Sequence, residues 1–217
     1  MIRLGRQGLI GAPSEAELDA IRAAYDRNNY VILPKLIEPD LFEKLVANIE
    51  SAQFLPRVHE GVGVEFCMAD HAPRAALNFL ASNPAFLRVI EKITGFPQIG
   101  SFEGRVYRMT ATDGHYDSWH SDVCDGRMVA MSLNVTRQQY LGGGLQMKDR
   151  HRDDILCEIY NSGFGDALLF RISKTLLHRI QGVEGKVPKT AFAGWFHEGA
   201  DWLARLQRSA SSVEPVE

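Results

Sequence analysis

From about Gln98 onward the chain breaks into short apolar segments separated by glycine and aspartate turns, and this rhythm limits the fold more than any other feature. The segments occupy residues 99–109, 128–136, 144–147, 155–159, 167–172, 176–180 and 190–197. Runs this short, at this spacing, read as strands of an all-β sandwich or barrel. The preceding text has a different period. Ser14 followed by Glu17 is a capping box, after which Leu18, Ile21 and Tyr25 share one helical face. Residues 30–33 are an apolar run stopped by Pro34 and read as a strand. Pro39 and Asp40 open a second helix with a stripe of Leu41, Phe42, Leu45, Val46 and Ile49. Residues 51–72 carry glycines without a clear period and read as a long loop, with a strand near 64–68. Pro84 starts a helix through Phe86, Leu87, Ile90 and Ile93 that Gly95 ends.

Helices first and strands later predict helices packed on the outside of a β core. No repeat or linker interrupts the 217 residues, so one domain is expected. Its helical support covers about 1–97, its β core about 98–198 and a C-terminal tail 199–217. A last short helix is expected at 200–206, before a small, polar, mobile end at 209–217.

Bulk properties exclude some partners. A net charge of −3 carries no basic excess of the kind that nucleic-acid binders show, so no nucleic acid is expected. The first residues are broken by Gly5, Arg6, Gln7 and Gly8 and make a poor signal peptide. No apolar run approaches the length that spans a bilayer, so no membrane contact is expected. Cys67, Cys124 and Cys157 are odd in number and lack CxxC pairing, which fits a reducing, cytoplasmic setting. Nothing in the sequence sets an oligomeric state.

Chemistry concentrates around Trp119-His120-Ser121-Asp122. Residues two apart in an extended segment point to the same side, so His120 and Asp122 can present a nitrogen and an oxygen to one point. His178 lies in a second strand-like segment, Leu176-Leu177-His178-Arg179-Ile180. Two histidines and one carboxylate on one face of a metal leave the opposite positions open, the donor set of non-haem iron(II) oxygenases. HxD alone is a weak signal in a chain with 7 histidines and 27 acidic residues. The order of the downstream segments is more specific: Gly142-Gly143-Gly144 before a strand, then Gly165-Asp166-Ala167-Leu168-Leu169-Phe170, then His178-Arg179-Ile180, a cation at Lys189, and Trp195-Phe196.

On those residues the region from about Tyr107 to Phe196 resembles the iron(II)- and 2-oxoglutarate-dependent dioxygenases, in particular their prolyl-hydroxylase-like branch. The resemblance implies a mainly β fold with flanking α-helices and a double-stranded β-helix (jelly-roll, cupin-like) core. It implies iron(II) held by His120, Asp122 and His178, with 2-oxoglutarate as co-substrate and O2 as oxidant. Hydroxylation of an unactivated C–H, with release of succinate and CO2, is the implied outcome. The family places a basic residue after the distal histidine to pair with the far carboxylate of 2-oxoglutarate, and Lys189 falls there. Lys186 competes for this role, while Arg179 is too near His178. A carboxylate at Asp122, where related halogenases carry a small residue, favours hydroxylation.

The chain departs from the family in the strand Val129-Ala130-Met131-Ser132-Leu133-Asn134, which lacks the tyrosine many relatives use against the co-substrate. Asn134 and Tyr107 are the candidates to take its place. Trp119 and Tyr116 are candidate pocket walls or simple packing. Arg105, Arg108 and Arg127 read as surface cations, His151 as a loop residue, and His115, His197 and Cys124 as non-catalytic. The expected substrate is a small molecule, an amino acid or a short peptide. A non-catalytic or differently metallated cupin-like binding protein is the alternative. The absence of the HxH that cupins use argues against it.

Overall fold

The computed structural model describes residues 1–199 except 112, 113, 125, 153 and 161. The helix expected at 200–206 and the mobile end at 209–217 fall outside the described residues.

The chain opens with a hairpin of β1 (Arg3–Gly5) and β2 (Gly8–Ile10), which sequence reading did not separate because three-residue strands carry no period. Helix α1 (Glu15–Asn28) comes next, closed at its start by the Ser14–Glu17 capping box. Then come β3 (Tyr30–Leu33) and α2 (Pro39–Glu50), whose Phe42, Leu45, Val46 and Ile49 are buried.

Within the expected loop over 51–72, the strand expected near 64–68 is β5 (Gly63–Met68); it pairs in a hairpin with β4 (Phe54–His59), which the sequence did not announce, and helix α3 (Ala72–Ala81) follows. Strand β4 is the edge of its sheet and largely exposed. It is held by backbone pairing and tolerates Pro56, so no alternating apolar pattern announced it. Helix α4 (Pro84–Thr94) starts at an Asn83 cap and ends at Gly95.

The β core runs through β6 (Ile99–Met109), β7 (Tyr116–Asp117), β8 (Arg127–Asn134), β9 (Leu141–Gly142), β10 (Leu145–Asp149) and β11 (Ile155–Ile159). It continues through β12 (Ala167–Arg171), β13 (Leu176–Ile180), β14 (Val183–Glu184) and β15 (Lys189–Glu198). The larger antiparallel sheet is ordered β3-β12-β8-β15-β6-β5-β4, with β7 paired to β5. A smaller sheet is ordered β11-β10-β13, and β14 pairs β9. Successive strands pass between the two sheets, which makes the curled roll of a double-stranded β-helix.

Alternation along β15 shows how the sequence builds this arrangement. Phe192 and Phe196 point out of the roll and are fully buried with Phe102, Val106, Phe86, Ile90 and Ile93, the core between helices and sheet. Burying two such rings contributes several kcal/mol. The intervening Lys189, Ala191, Ala193 and Trp195 face the interior of the roll, where small residues leave space. At the centre of the seam Gly194 stands opposite Gly104. A Cβ on Gly194 would lie 2.0 Å from the Glu103 carbonyl oxygen, so the two strands approach closely only because glycine is there.

Strand β5 pairs β6 at Phe66 and Cys67, then turns aside to pair β7 through Gly63 and Val64. This leaves the β6 backbone at 102–104 without a neighbouring strand on that side, and buried polar backbone must be satisfied. Side chains of the helical layer do this. Asn78 accepts from the Gly104 N–H at 2.7 Å and donates to its carbonyl at 3.1 Å, while Ser82 does the same for Phe102 at 2.9 and 3.2 Å. The β4–β5 hairpin is thereby freed to form one wall of the mouth of the roll. No helix among the described residues is long and apolar enough to cross a membrane.

Candidate metal centre

His120 and Asp122 follow β7 on an extended segment, and His178 is the middle residue of β13. An isolated antiparallel bridge joins the two histidines: the His120 N–H donates to the His178 carbonyl at 3.1 Å and the reverse bond is 3.0 Å. Directly opposed residues in an antiparallel pair share a face, so the bridge sets the imidazoles side by side, with ring centroids 4.4 Å apart. The two-residue offset of Asp122 brings its carboxylate to the same place. One oxygen lies 3.6 Å from His120 Nε2 and the other 3.1 Å from His178 Nε2. One ligand atom from each residue lies within 4.8 Å of the others, so the three can hold a metal ion.

Their surroundings fix these side chains. His120 Nδ1 is 2.7 Å from the Ser118 carbonyl and 3.3 Å from an Asp117 oxygen, which directs Nε2 at the carboxylate. Asp117 is itself held by the Ile180 N–H at 2.8 Å. The His178 ring packs edge-on to Phe170 at 5.1 Å. Trp195 donates from Nε1 to Asp122 Oδ2 at 2.9 Å, locking the carboxylate rotamer. Partners of this kind orient metal ligands and tune their affinity.

Burial alone would raise the Asp122 pKa, but donation from His120, His178 and Trp195 overrides it and holds the carboxyl well below the usual carboxylate range. Burial alone would lower that of His120, but Asp122, the Ser118 carbonyl and Asp117 push it up to about 9. Both directions describe a point that draws positive charge. Together with the nitrogen and oxygen donors, this fits a divalent cation of the iron or zinc type.

The centre opens on a cavity of about 590 Å³ inside the roll. Lys189 lies in its wall at the start of β15 and is buried, with Nζ donating to the Gly143 carbonyl at 2.6 Å. Burial holds its pKa down at about 8, against the smaller opposing pull of Asp117. The Gly142-Gly143 turn makes room for it: both residues have positive φ, and a Cβ on Gly143 would stand 3.0 Å from Lys189 Cδ and 3.1 Å from the Tyr140 ring. Lys186, by contrast, is exposed and outside this cavity.

Tyr107 and Asn134 both line the cavity on strands flanking β15, each opposite Ala191. Tyr107 is buried, which pushes its phenol pKa far up. The Asn134 amide is engaged at both ends, donating to the Gly163 carbonyl and accepting from the Thr136 N–H, each at 2.9 Å.

Several side chains sit differently from their sequence reading. Arg105 and Arg127 line the cavity rather than the outer surface, because the inner face of this roll is polar; Arg108 is on the other side of β6, over the Phe54 ring. Trp119 lies outside the cavity wall with Arg179 and Lys148 against its ring, and Tyr116 lines the mouth. His115 accepts from the Thr110 N–H at 3.0 Å, His151 is exposed, and Cys124 is exposed outside the cavity. His197 lines the mouth. Sequence reading missed Asp117, Tyr140 and the bond from Trp195 to Asp122. The aspartate three residues before His120 was the one local signal for any of them.

Residues 104–197 match the sequence model of the 2OG-Fe(II) oxygenase superfamily. No curated protein sequence matches the chain. Among solved structures, an oxidoreductase of the 2OG-Fe(II) oxygenase family from Burkholderia pseudomallei is similar at a TM-score of 0.61 and 13% identity, over 93% of this chain and 99% of that one. A Pseudomonas putida prolyl-4-hydroxylase is similar at 0.59 and 18%, over 84% and 100%. A prolyl hydroxylase from Trichoplax adhaerens, in complex with a peptide fragment of the hypoxia inducible factor oxygen degradation domain, is similar at 0.58 and 15%, over 94% and 99%. These structures share the fold of this chain, and the match to the 2OG-Fe(II) oxygenase superfamily model spans the segment that carries His120 and Asp122 and the strands that carry His178 and Lys189.

Proposed function

We propose that this protein is an iron(II)- and 2-oxoglutarate-dependent hydroxylase of a small molecule, an amino acid or a short peptide, with iron on His120, Asp122 and His178. The observation that carries the reading is the convergence of these three donors, across the His120–His178 bridge, at a cavity whose wall also holds a buried ammonium. When bound, iron(II) with 2-oxoglutarate and O2 supplies the oxidant: one oxygen atom enters a substrate C–H, the other ends in succinate, and CO2 leaves.

The chain's own residues do the rest. His120, Asp122 and His178 would hold the metal, and the cavity beside them would admit the oxo acid and O2. Lys189, buried in the cavity wall, pairs with the far carboxylate of 2-oxoglutarate as a point charge. Tyr107 and Tyr140 border that end of the cavity, and Asn134 shapes it by holding the turn at Gly163. Trp195 and Asp117 keep Asp122 and His120 aimed. Similarity to a hydroxylase solved with a peptide supports a short peptide among the possible substrates.

Anaerobic titration tests the assignment. One equivalent of iron(II) with 2-oxoglutarate should give the weak visible charge-transfer band of the chelate, and His178→Ala and His120→Ala should each abolish it. Retention of the band in both variants would remove the triad as the iron site.

A further inference from the structure

The cavity continues beyond the His120–Asp122–His178 cluster, away from Lys189. Lys189 and Trp195 are six positions apart on β15, roughly 20 Å at about 3.3 Å per residue. The Trp195 end is strongly basic. Arg57, Arg74, Arg105 and Arg127 line it, against the carboxylates of Glu65 and Glu103. Glu65 is already committed, accepting from Arg105 at 2.7 Å and lying 3.3 Å from His59. Arg74 contacts His71 at 2.7 Å, and Arg57 is exposed on the edge strand.

Arg127 differs from the other three. Its guanidinium carbon sits 3.5 Å over the Trp195 ring centroid, so the planar group is stacked in place, and it is only half-buried. Among the described residues the nearest carboxylate oxygen, on Asp122, is 4.0 Å away, too far for a hydrogen bond and facing the two histidines. Among the described residues the guanidinium has no hydrogen-bond partner. An oriented fork of N–H donors, beside the metal ligands and open to the cavity, is the arrangement that receives a planar anion.

We propose that the substrate carries a carboxylate and that Arg127 receives it, setting which carbon lies over the metal. This rests on the iron and 2-oxoglutarate assignments above. Arg127 stacks on Trp195, six positions along β15 from Lys189, so the two anions have separate donors. A guanidinium held over an aromatic face by its carbon keeps its N–H edges for a ligand, and a planar fork suits a bidentate carboxylate better than a tetrahedral phosphate.

The test is nuclear magnetic resonance of the arginine Nε–Hε groups in the full chain, loaded with zinc(II) as a redox-silent metal and saturated with 2-oxoglutarate. Propionate, propionamide and methyl phosphate are the probes, and Arg127→Gln assigns the signal. Propionate should shift the Arg127 cross-peak saturably, at lower concentration than methyl phosphate, while propionamide leaves it in place. No saturable shift, an equal response to propionamide, a stronger response to methyl phosphate, or the same shift at every arginine would each overturn the proposal. Calorimetric titration of 2-oxoglutarate on the same sample separates the two readings. If 2-oxoglutarate fails to bind, the co-substrate assignment falls, and the propionate titration still decides Arg127.

Discussion

Replacing Lys189 by Met separates the cost of this residue from its use. In the free protein the ammonium is buried, with one strong bond to the Gly143 carbonyl, and its pKa sits at about 8 rather than near 10.4. A gap of that size corresponds to about 3 kcal/mol of stability lost to keeping the charge inside. Proton counts give the sign. Below about pH 8 the lysine is protonated in both folded and unfolded chains, so the penalty is present in full. Between about 8 and 10.4 the unfolded chain binds more protons, and the penalty fades as pH rises. Met fills nearly the same volume without charge. Lys189→Met should therefore raise the stability of the ligand-free protein at pH 7 by on the order of 2–3 kcal/mol, read by urea denaturation. The gain should vanish towards pH 10.5. The same substitution should weaken 2-oxoglutarate by on the order of 2–5 kcal/mol, since it removes a charge-assisted bond in a desolvated site. That is about thirtyfold to several thousandfold in the dissociation constant. Lys189→Arg should recover part of the affinity, and Lys186→Ala, at an exposed position, should leave it unchanged. A Lys189→Met protein that is less stable at pH 7 and binds 2-oxoglutarate as well as the parent would refute both halves of the reasoning.

Trp195→Phe removes the donor to Asp122 Oδ2 but keeps an aromatic ring, so iron(II) affinity should fall about tenfold or more by competitive chelation while thermal unfolding changes little; unchanged affinity would show that Asp122 does not need the bond. Gly194→Ala drives a methyl into the backbone of β6 at 2.0–2.4 Å, and the seam cannot yield by a rotamer change. It should cost about 3 kcal/mol or more in chemical denaturation, and a stability within about 0.5 kcal/mol of the parent would contradict the close approach.

Local features were legible where short-range chemistry decides them. The Ser14 cap, the α2 stripe, the Gly95 stop and most of the core strands follow from residues within one turn or one strand of each other. So did the pairing of His120 with Asp122, because two residues along an extended chain already share a side. What put His178 beside them was a backbone bridge across 58 positions of sequence, and no local pattern encodes a register at that range. Strand β4, the partner of the expected strand near 64–68, was unreadable for a related reason: an exposed edge strand is defined by backbone pairing and not by its side chains. The inner face of the roll misled most. Alternation along a strand divides residues into two sides, but it names the buried side only when that side is apolar. Here the interior carries Lys189, Arg105, Glu65 and Arg127 around a cavity, while the ordinary apolar core lies on the helix side of the same sheet. The sequence by itself determined which residues alternate together; only the closure of two sheets into a roll decided that the charged set faces inward, where the chemistry is.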